Sequence, residues 1–138
     1  MKTATIWIPT VEDAKKCQDC EKAAYGNCST ISQWKRLLSD KSTVALAYEN
    51  KGIAAARGTP NGWQLMLVGV RPNSRRKGIA KELVSLLGEK YILHSKLRET
   101  SIDALKFIVK AGFIVDKLEP NGYDNCDAIH LVRYSNGE

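Results

Sequence analysis

"VRPNSRRKGIAKELVSLLGEK", Val70 to Lys90, is the stretch on which the reading of this 138-residue chain turns. Its first half, Arg71 to Lys81, carries five cations and no acid. Its second half has helical spacing, with Ile79, Leu83, Leu86 and Leu87 forming one apolar stripe. A helix dipole favours acids, not cations, at the N-terminus. An anion seated on the first turn would make these cations tolerable. That turn leaves backbone N–H groups unpaired and pointing outward. Gly78 and Ala80 keep the surface free of bulk, so a ligand can approach the backbone around Ile79. Arg75, Arg76, Lys77 and Lys81 add full charges around the same point, and a pyrophosphate is the natural guest. The stretch is neither a Walker loop nor a dinucleotide fingerprint, because G-x-x-x-x-G-K-[ST] and G-x-G-x-x-G are both absent.

Working outward, "GWQLMLVGV" (62–70) is strand-like and apolar on both faces, which places it centrally in a sheet. Before it, "TVALAYENKGIAAARG" (43–58) reads as a hairpin turning at Glu49-Asn50-Lys51-Gly52. Further upstream lie a strand, "ATIWIP" (Ala4 to Pro9), and two helices. The first, "TVEDAKKCQDCEKAAYG", is capped by Thr10 and stopped by Gly26. The second is "STISQWKRLLSD", with Ile31, Trp34, Leu37 and Leu38 at helical spacing. Downstream, "YILHSKL" (91–97) reads as a strand and "SIDALKFIVKAGF" as a helix ending at Gly112. "FIVDKL" (113–118) and "AIHLVRY" (128–134) close the chain as strands. The expected order is β-α-α-β-β-β-α-β-α-β-β, a mixed α/β domain over residues 1–138.

Hydrophobic content of 43% and charged content of 26% are ordinary for a soluble globular protein. No apolar run is long enough to span a bilayer. The N-terminal residues lack a signal-peptide core, so a cytoplasmic location with reduced cysteines is expected. Five of the six net positive charges fall in the Arg71–Lys81 segment, so little excess basicity is left to argue for nucleic acid. Cys17 and Cys20 form a single CxxC, with Cys28, Cys126 and His130 elsewhere; zinc commonly takes paired units, so no metal is expected. The two cysteines read as small core residues, and Trp7, Trp34 and Trp63 as core aromatics.

"VRPNSRRKGIAKELV" resembles the acyl-coenzyme A motif of the GCN5-related N-acetyltransferases (GNATs). That pattern, Arg or Gln, two residues, Gly, one residue, then Gly or Ala, is met by Arg75, Gly78 and Ala80. Val70 and Pro72 match the strand exit before it. "SIDALKFIVKAGF" is similar to the family's second signature, Asn-x-x-Ala-x-x-Leu-Tyr-x-x-x-Gly-Phe. Ala104, Gly112 and Phe113 match, and Phe107 stands where Leu is usual.

The resemblance implies a mixed, mostly antiparallel sheet of about six to seven strands flanked by about four helices. It implies transfer of an acetyl group from acetyl-CoA to an amine of a small molecule or protein, by direct attack. Backbone N–H groups near Val68 and Val70 would bind the pantetheine, in a slot between that strand and "YILHSKL". The implied cofactor residues are Val68, Val70, Arg75, Arg76, Lys77, Gly78, Ile79, Ala80, Lys81 and Ser101. Departures fall on the catalytic groups. Ser101 replaces the usual Asn, Ile108 replaces the Tyr that protonates the leaving thiolate, and "GWQLMLVGV" lacks the Glu that often serves as base. His94, on the strand beside the slot, is the candidate proton carrier, because an imidazole titrates near neutral pH. A satisfied core or edge histidine is the competing reading. Glu49, Glu99 and Tyr123 are weaker candidates, and water relay needs no dedicated side chain. Alternatives are a relative acting on aminoacyl-tRNA or a DNA base, and a non-catalytic acyl-CoA-binding protein. The assembly expected is a monomer or homodimer.

Overall fold

The computed structural model describes residues 5–134. Eleven elements follow the expected order: β1 (Ile6–Trp7), α1 (Ala14–Tyr25), α2 (Ile31–Ser39), β2 (Thr43–Tyr48), β3 (Gly52–Thr59), β4 (Gly62–Val70), α3 (Ile79–Lys90), β5 (Leu93–Arg98), α4 (Ile102–Lys110), β6 (Ile114–Tyr123) and β7 (Cys126–Arg133). Ala4, the first residue of the expected N-terminal strand, lies outside the described residues. One seven-stranded sheet runs β1-β2-β3-β4-β5-β7-β6, with β4 at its centre. Every neighbouring pair is antiparallel except β4–β5.

Local chemistry explains the boundaries. Thr30 caps α2 by accepting from the Gln33 N–H, and the Gln33 side chain returns the bond to the Thr30 backbone. Gly26 ends α1 in the left-handed conformation at φ 85. Strand β6 runs five residues beyond the expected "FIVDKL", because Tyr123 and Cys126 close a tight hairpin across Asp124-Asn125.

Helices cover both faces of the sheet. Ala54, Ala55 and Ala56 on β3 are fully buried, and their small side chains let helices approach from either side. On one face Ile53 packs with Cys17, Cys20 and Trp34 of α1 and α2. On the other, Ala54 and Ala56 pack with Ile79, Leu83, Val84 and Leu87 of α3 and Ile108 of α4. The α3 stripe is therefore wider than its spacing indicated, since it takes in Val84 and leaves Leu86 half-buried. Cys17, Cys20 and Trp34 are core residues, as read. Trp7 and Trp63 are only half-buried. The Trp7 indole donates to the Glu49 carbonyl at 2.9 Å, and Trp63 lies against Tyr91 with ring centroids 4.5 Å apart.

Candidate active site

The central pair of strands comes apart. β4 and β5 are in register only at Trp63↔Leu93 and Gln64↔His94, while β4 runs on to Val70. A bulge re-phases β4 beyond that point. Leu65 faces Ala56 and Leu67 faces Ala55, so Met66 is an extra residue without a partner on β3. Trp63 points its N–H at β5, donating to the Ile92 carbonyl at 2.9 Å. Before the bulge, then, odd-numbered residues address β5; after it, even-numbered ones do. The carbonyls of Val68 and Val70 bear this out. Val68 accepts from the Tyr25 hydroxyl, and Val70 accepts from Arg75 Nε at 3.0 Å. A strand residue presents its N–H and C=O to the same side, so the Val68 and Val70 amides face the gap as well.

The gap leads to the N-terminus of α3. After a short 3₁₀ turn at Pro72–Ser74, Arg76 (φ 64) and Gly78 (φ 80) take left-handed conformations. A Cβ at Gly78 would meet nothing within 4 Å, so the backbone angle rather than space selects glycine. The first helical bond runs from the Glu82 N–H to the Gly78 carbonyl at 2.9 Å. The N–H groups of Ile79, Ala80 and Lys81 thus have no helical acceptor.

Seven of the ten expected cofactor residues (Val70, Arg75, Arg76, Gly78, Ile79, Ala80 and Lys81) line one cavity of about 210 Å³, with Phe107 and Lys110 of α4 opposite. The Ile79 side chain turns into the core, so it offers only its backbone. Val68 lies deeper along the gap, and Lys77 is exposed outside the cavity. Ser101 stands apart at the start of α4, where its carbonyl accepts from the Leu105 N–H at 2.9 Å. Arg75 holds scaffold: besides Val70 it donates through Nη2 to the Ala24 carbonyl at 2.6 Å. It ties the end of α1 to the end of β4. Gly69 permits that approach, since a Cβ there would sit 2.9 Å from Ala24 Cβ and from the Tyr25 ring.

His94 sits at the vertex where β4 and β5 separate. Its Nε2 lies 3.0 Å from the Asn61 carbonyl, which can only accept, so Nε2 carries the hydrogen and Nδ1 the lone pair. The ring lines a cavity of about 480 Å³ with Gln64, Lys96, Asp116, Lys117 and His130. His130 Nε2 lies 2.7 Å from Glu119 Oε1. That hydrogen bond, helped by nearby Lys96, holds the Glu119 carboxyl below the usual carboxylate range. Ile108 is buried in the α4 core face, with 4% of its surface exposed. Glu49 turns the β2–β3 hairpin and pairs with Lys51 at 3.0 Å. Glu99 sits in the turn after β5, and the Tyr123 hydroxyl donates to the Lys96 carbonyl at 3.2 Å.

Sequence reasoning passed over the far side of β4. There a cavity of about 760 Å³ opens between α1, α2 and the bulge, lined by Glu21, Tyr25, Gln33, Arg57, Met66 and Leu67 among others. Glu21 is committed, accepting from the Trp34 indole at 2.8 Å and the Ser29 N–H at 2.9 Å. Burial pushes the Tyr25 phenol up, against the lowering pull of its bond to Val68. The one available signal was an aromatic residue immediately before the Gly26 stop. Among the described residues, no group of three or more His, Cys, Asp or Glu is placed to hold a metal ion. Burial, with the Asp13 charge nearby, pushes the Cys17 thiol up to about 12.

No family model and no curated protein matches the chain. Solved structures do. The ribosomal-protein-S18-alanine N-acetyltransferase of Escherichia coli superposes with a TM-score of 0.75 over 97% of this chain and 96% of its own, at 18% identity. A GNAT-family acetyltransferase of Bacillus cereus gives 0.76 over 94% and 96%, at 19% identity. Arabidopsis thaliana NAA60, solved in complex with acetyl-CoA, gives 0.76 over 96% and 98%, at 13% identity. The architecture is a mixed, mostly antiparallel sheet that splits at its centre, with helices on both faces. More specifically, the chain has the GNAT fold.

Proposed function

We propose that this protein is an N-acetyltransferase that moves an acetyl group from acetyl-CoA to an amine of a small molecule or protein. One observation carries the reading: the unpaired edge of β4, with the Val68 and Val70 amides along it, ends at the open N-terminus of α3. An amide-bearing pantetheine arm can add to such an edge like a short strand. Its pyrophosphate then meets the free N–H groups of Ile79, Ala80 and Lys81, with Arg76 and Lys81 supplying charge. That solved neighbours hold acetyl-CoA in this fold supports the reading.

With the arm so laid, the thioester reaches the bulge at Met66, which is also the floor of the 760 Å³ cavity. An amine entering there attacks the carbonyl carbon; its C–N bond forms, the C–S bond breaks, and the sulfur leaves with the electron pair. His94 Nδ1, at the vertex, takes the proton from nitrogen directly or through water. The thiolate needs no phenol at position 108 to leave, because water can return the proton. The cytoplasm is the compartment this reading assigns.

Calorimetric titration with acetyl-CoA and CoA tests it. Micromolar binding, lost in Gly78→Glu, followed by CoA release when amines are supplied, is the expected result. A protein that binds neither thioester nor thiol would overturn it. Binding without turnover on any amine would leave a non-catalytic acyl-CoA binder.

A further inference from the structure

Four charged side chains line the 760 Å³ cavity beside β4: Glu21 on α1, Arg36 near the end of α2, Asp40 just past it, and Arg57 on β3. The two acids are already engaged. Glu21 accepts the Trp34 indole and the Ser29 N–H on one oxygen, Oε1, and keeps Oε2 spare. Asp40 accepts from the Ser42 N–H and hydroxyl on Oδ1, both at 2.8 Å. The two guanidinia are unused. Among the described residues, neither the Arg36 nor the Arg57 side chain makes a hydrogen bond or an ion pair. Arg57 adds its charge to the field at Asp40 but does not bridge to it.

Arg57 stands on a row of residues that leads to the candidate proton carrier. β3 keeps an unbroken register with β2, so Ile53, Ala55 and Arg57 share the face that α1 and α2 cover. Across the sheet Arg57 pairs with Gln64, and Gln64 with His94. Strands lie about 4.8 Å apart, so the backbones of Arg57 and His94 are about 10 Å apart. Both side chains rise from the same face, and the unpaired stretch of β4 begins just beyond the row. Glu21 stands one helical turn before Tyr25, which is bonded to Val68 in the gap. The spare carboxylate oxygen is therefore beside the place of reaction, and Arg57 is one strand back from it.

An unused guanidinium facing a cavity offers a carboxylate two parallel hydrogen bonds from one planar fork. An ammonium is drawn instead to the spare oxygen of Glu21. Two guanidinia also work against a diamine, which would bring a second cation into the cavity. We propose that the acceptor is a small amine carrying a carboxylate, as a free amino acid does, with Arg57 holding the carboxylate and the amine turned to the gap. The length of the row suits a few bonds between the two groups. This rests on the acetyl transfer proposed above and names its substrate. The acetylated product has lost its ammonium, so it keeps the Arg57 contact and gives up the one to Glu21.

Steady-state CoA release tests the proposal, with free amino acids, their carboxamides and putrescine as acceptors. In the wild type, kcat/KM for the best amino acid should exceed that for its carboxamide about tenfold or more, since a site built to pair a group rejects the analogue lacking it. Arg57→Gln should erase that ratio. Arg57→Lys keeps the charge without the fork and should restore part of it. Circular dichroism and titration with acetyl-CoA check that each variant is folded and holds its cofactor. Titrating the N-acetyl derivative of the best acceptor into the CoA-loaded protein reads the same contact without turnover, and its affinity should fall about tenfold in Arg57→Gln. Carboxamides or putrescine used as well as amino acids would overturn the proposal and leave the acetyltransferase reading standing. So would a ratio that Arg57→Gln does not move. No CoA release with any of these amines would overturn it too, and release with a peptide amine would then separate a wrong acceptor from a wrong activity.

Discussion

Gly78 and Ile108 show how differently one residue can matter. At Gly78 the space is open but the backbone angle is left-handed. Gly78→Ala should therefore fold and lose about 1 kcal/mol, measurable by urea unfolding, as its Cβ is forced into that conformation. Gly78→Glu carries the same strain and adds a carboxylate at the anion site, so calorimetry should find acetyl-CoA binding abolished. Ile108 is the reverse case, buried and without a titratable group. Ile108→Ala should cost about 2–4 kcal/mol of stability as a core truncation, while the shape of a pH–rate profile stays unchanged. A lost limb in that profile with stability intact would contradict the reading.

Among elements, the end of α1 is bound to β4 at the place where a cofactor would run. Tyr25 occupies the Val68 carbonyl, and Arg75 joins the Val70 and Ala24 carbonyls. A pantetheine amide that uses Val68 must displace the phenol. Tyr25→Phe should therefore tighten acetyl-CoA binding, by up to about tenfold for one net hydrogen bond. Unchanged or weaker binding by calorimetry would show that the phenol does not compete.

Much at this scale was legible. The period of Ile79, Leu83 and Leu87 gave α3, and the two-faced apolar run of 62–70 gave the central strand. The Gly78 turn and its cations were legible because backbone need and charge both leave marks in composition. The bulge at Met66 leaves none, because one residue out of step in an apolar strand reads the same as one in step. The tie through Arg75 and the placement of Tyr25 depend on residues about fifty and forty-three positions away, which no local pattern reports. Strand β6 was read short because Pro120 and Asn121-Gly122 look like a stop, and only the pairing with β7 carries the strand past them.

For the molecule as a whole, the buried thiols give a stability signature. Cys17 titrates at an ordinary 9.0 when exposed and about 12 when folded. The folded chain then favours the neutral thiol, so its contribution is intact below pH 9 and is lost as pH rises from 9 towards 12. The urea midpoint should fall over that window, and Cys17→Ala should flatten the fall. Alkylation should mark Cys28 and Cys126 in the native protein, and Cys17 and Cys20 only as it unfolds.

Met66 has a further consequence. An extra residue bends and twists the strand that carries it, and here the last β4–β5 pair, Gln64↔His94, falls two residues before the bend. The gap thus depends on how many residues β4 contains more than on which ones. Substitution scanning would pass over this position, since most apolar side chains keep the count. Removing Met66 altogether would leave Val68 and Val70 in phase but straighten the strand, letting it zip onto β5. Such a deletant should fold, show more protected amides along β5 by hydrogen exchange, and have no slot left to fill.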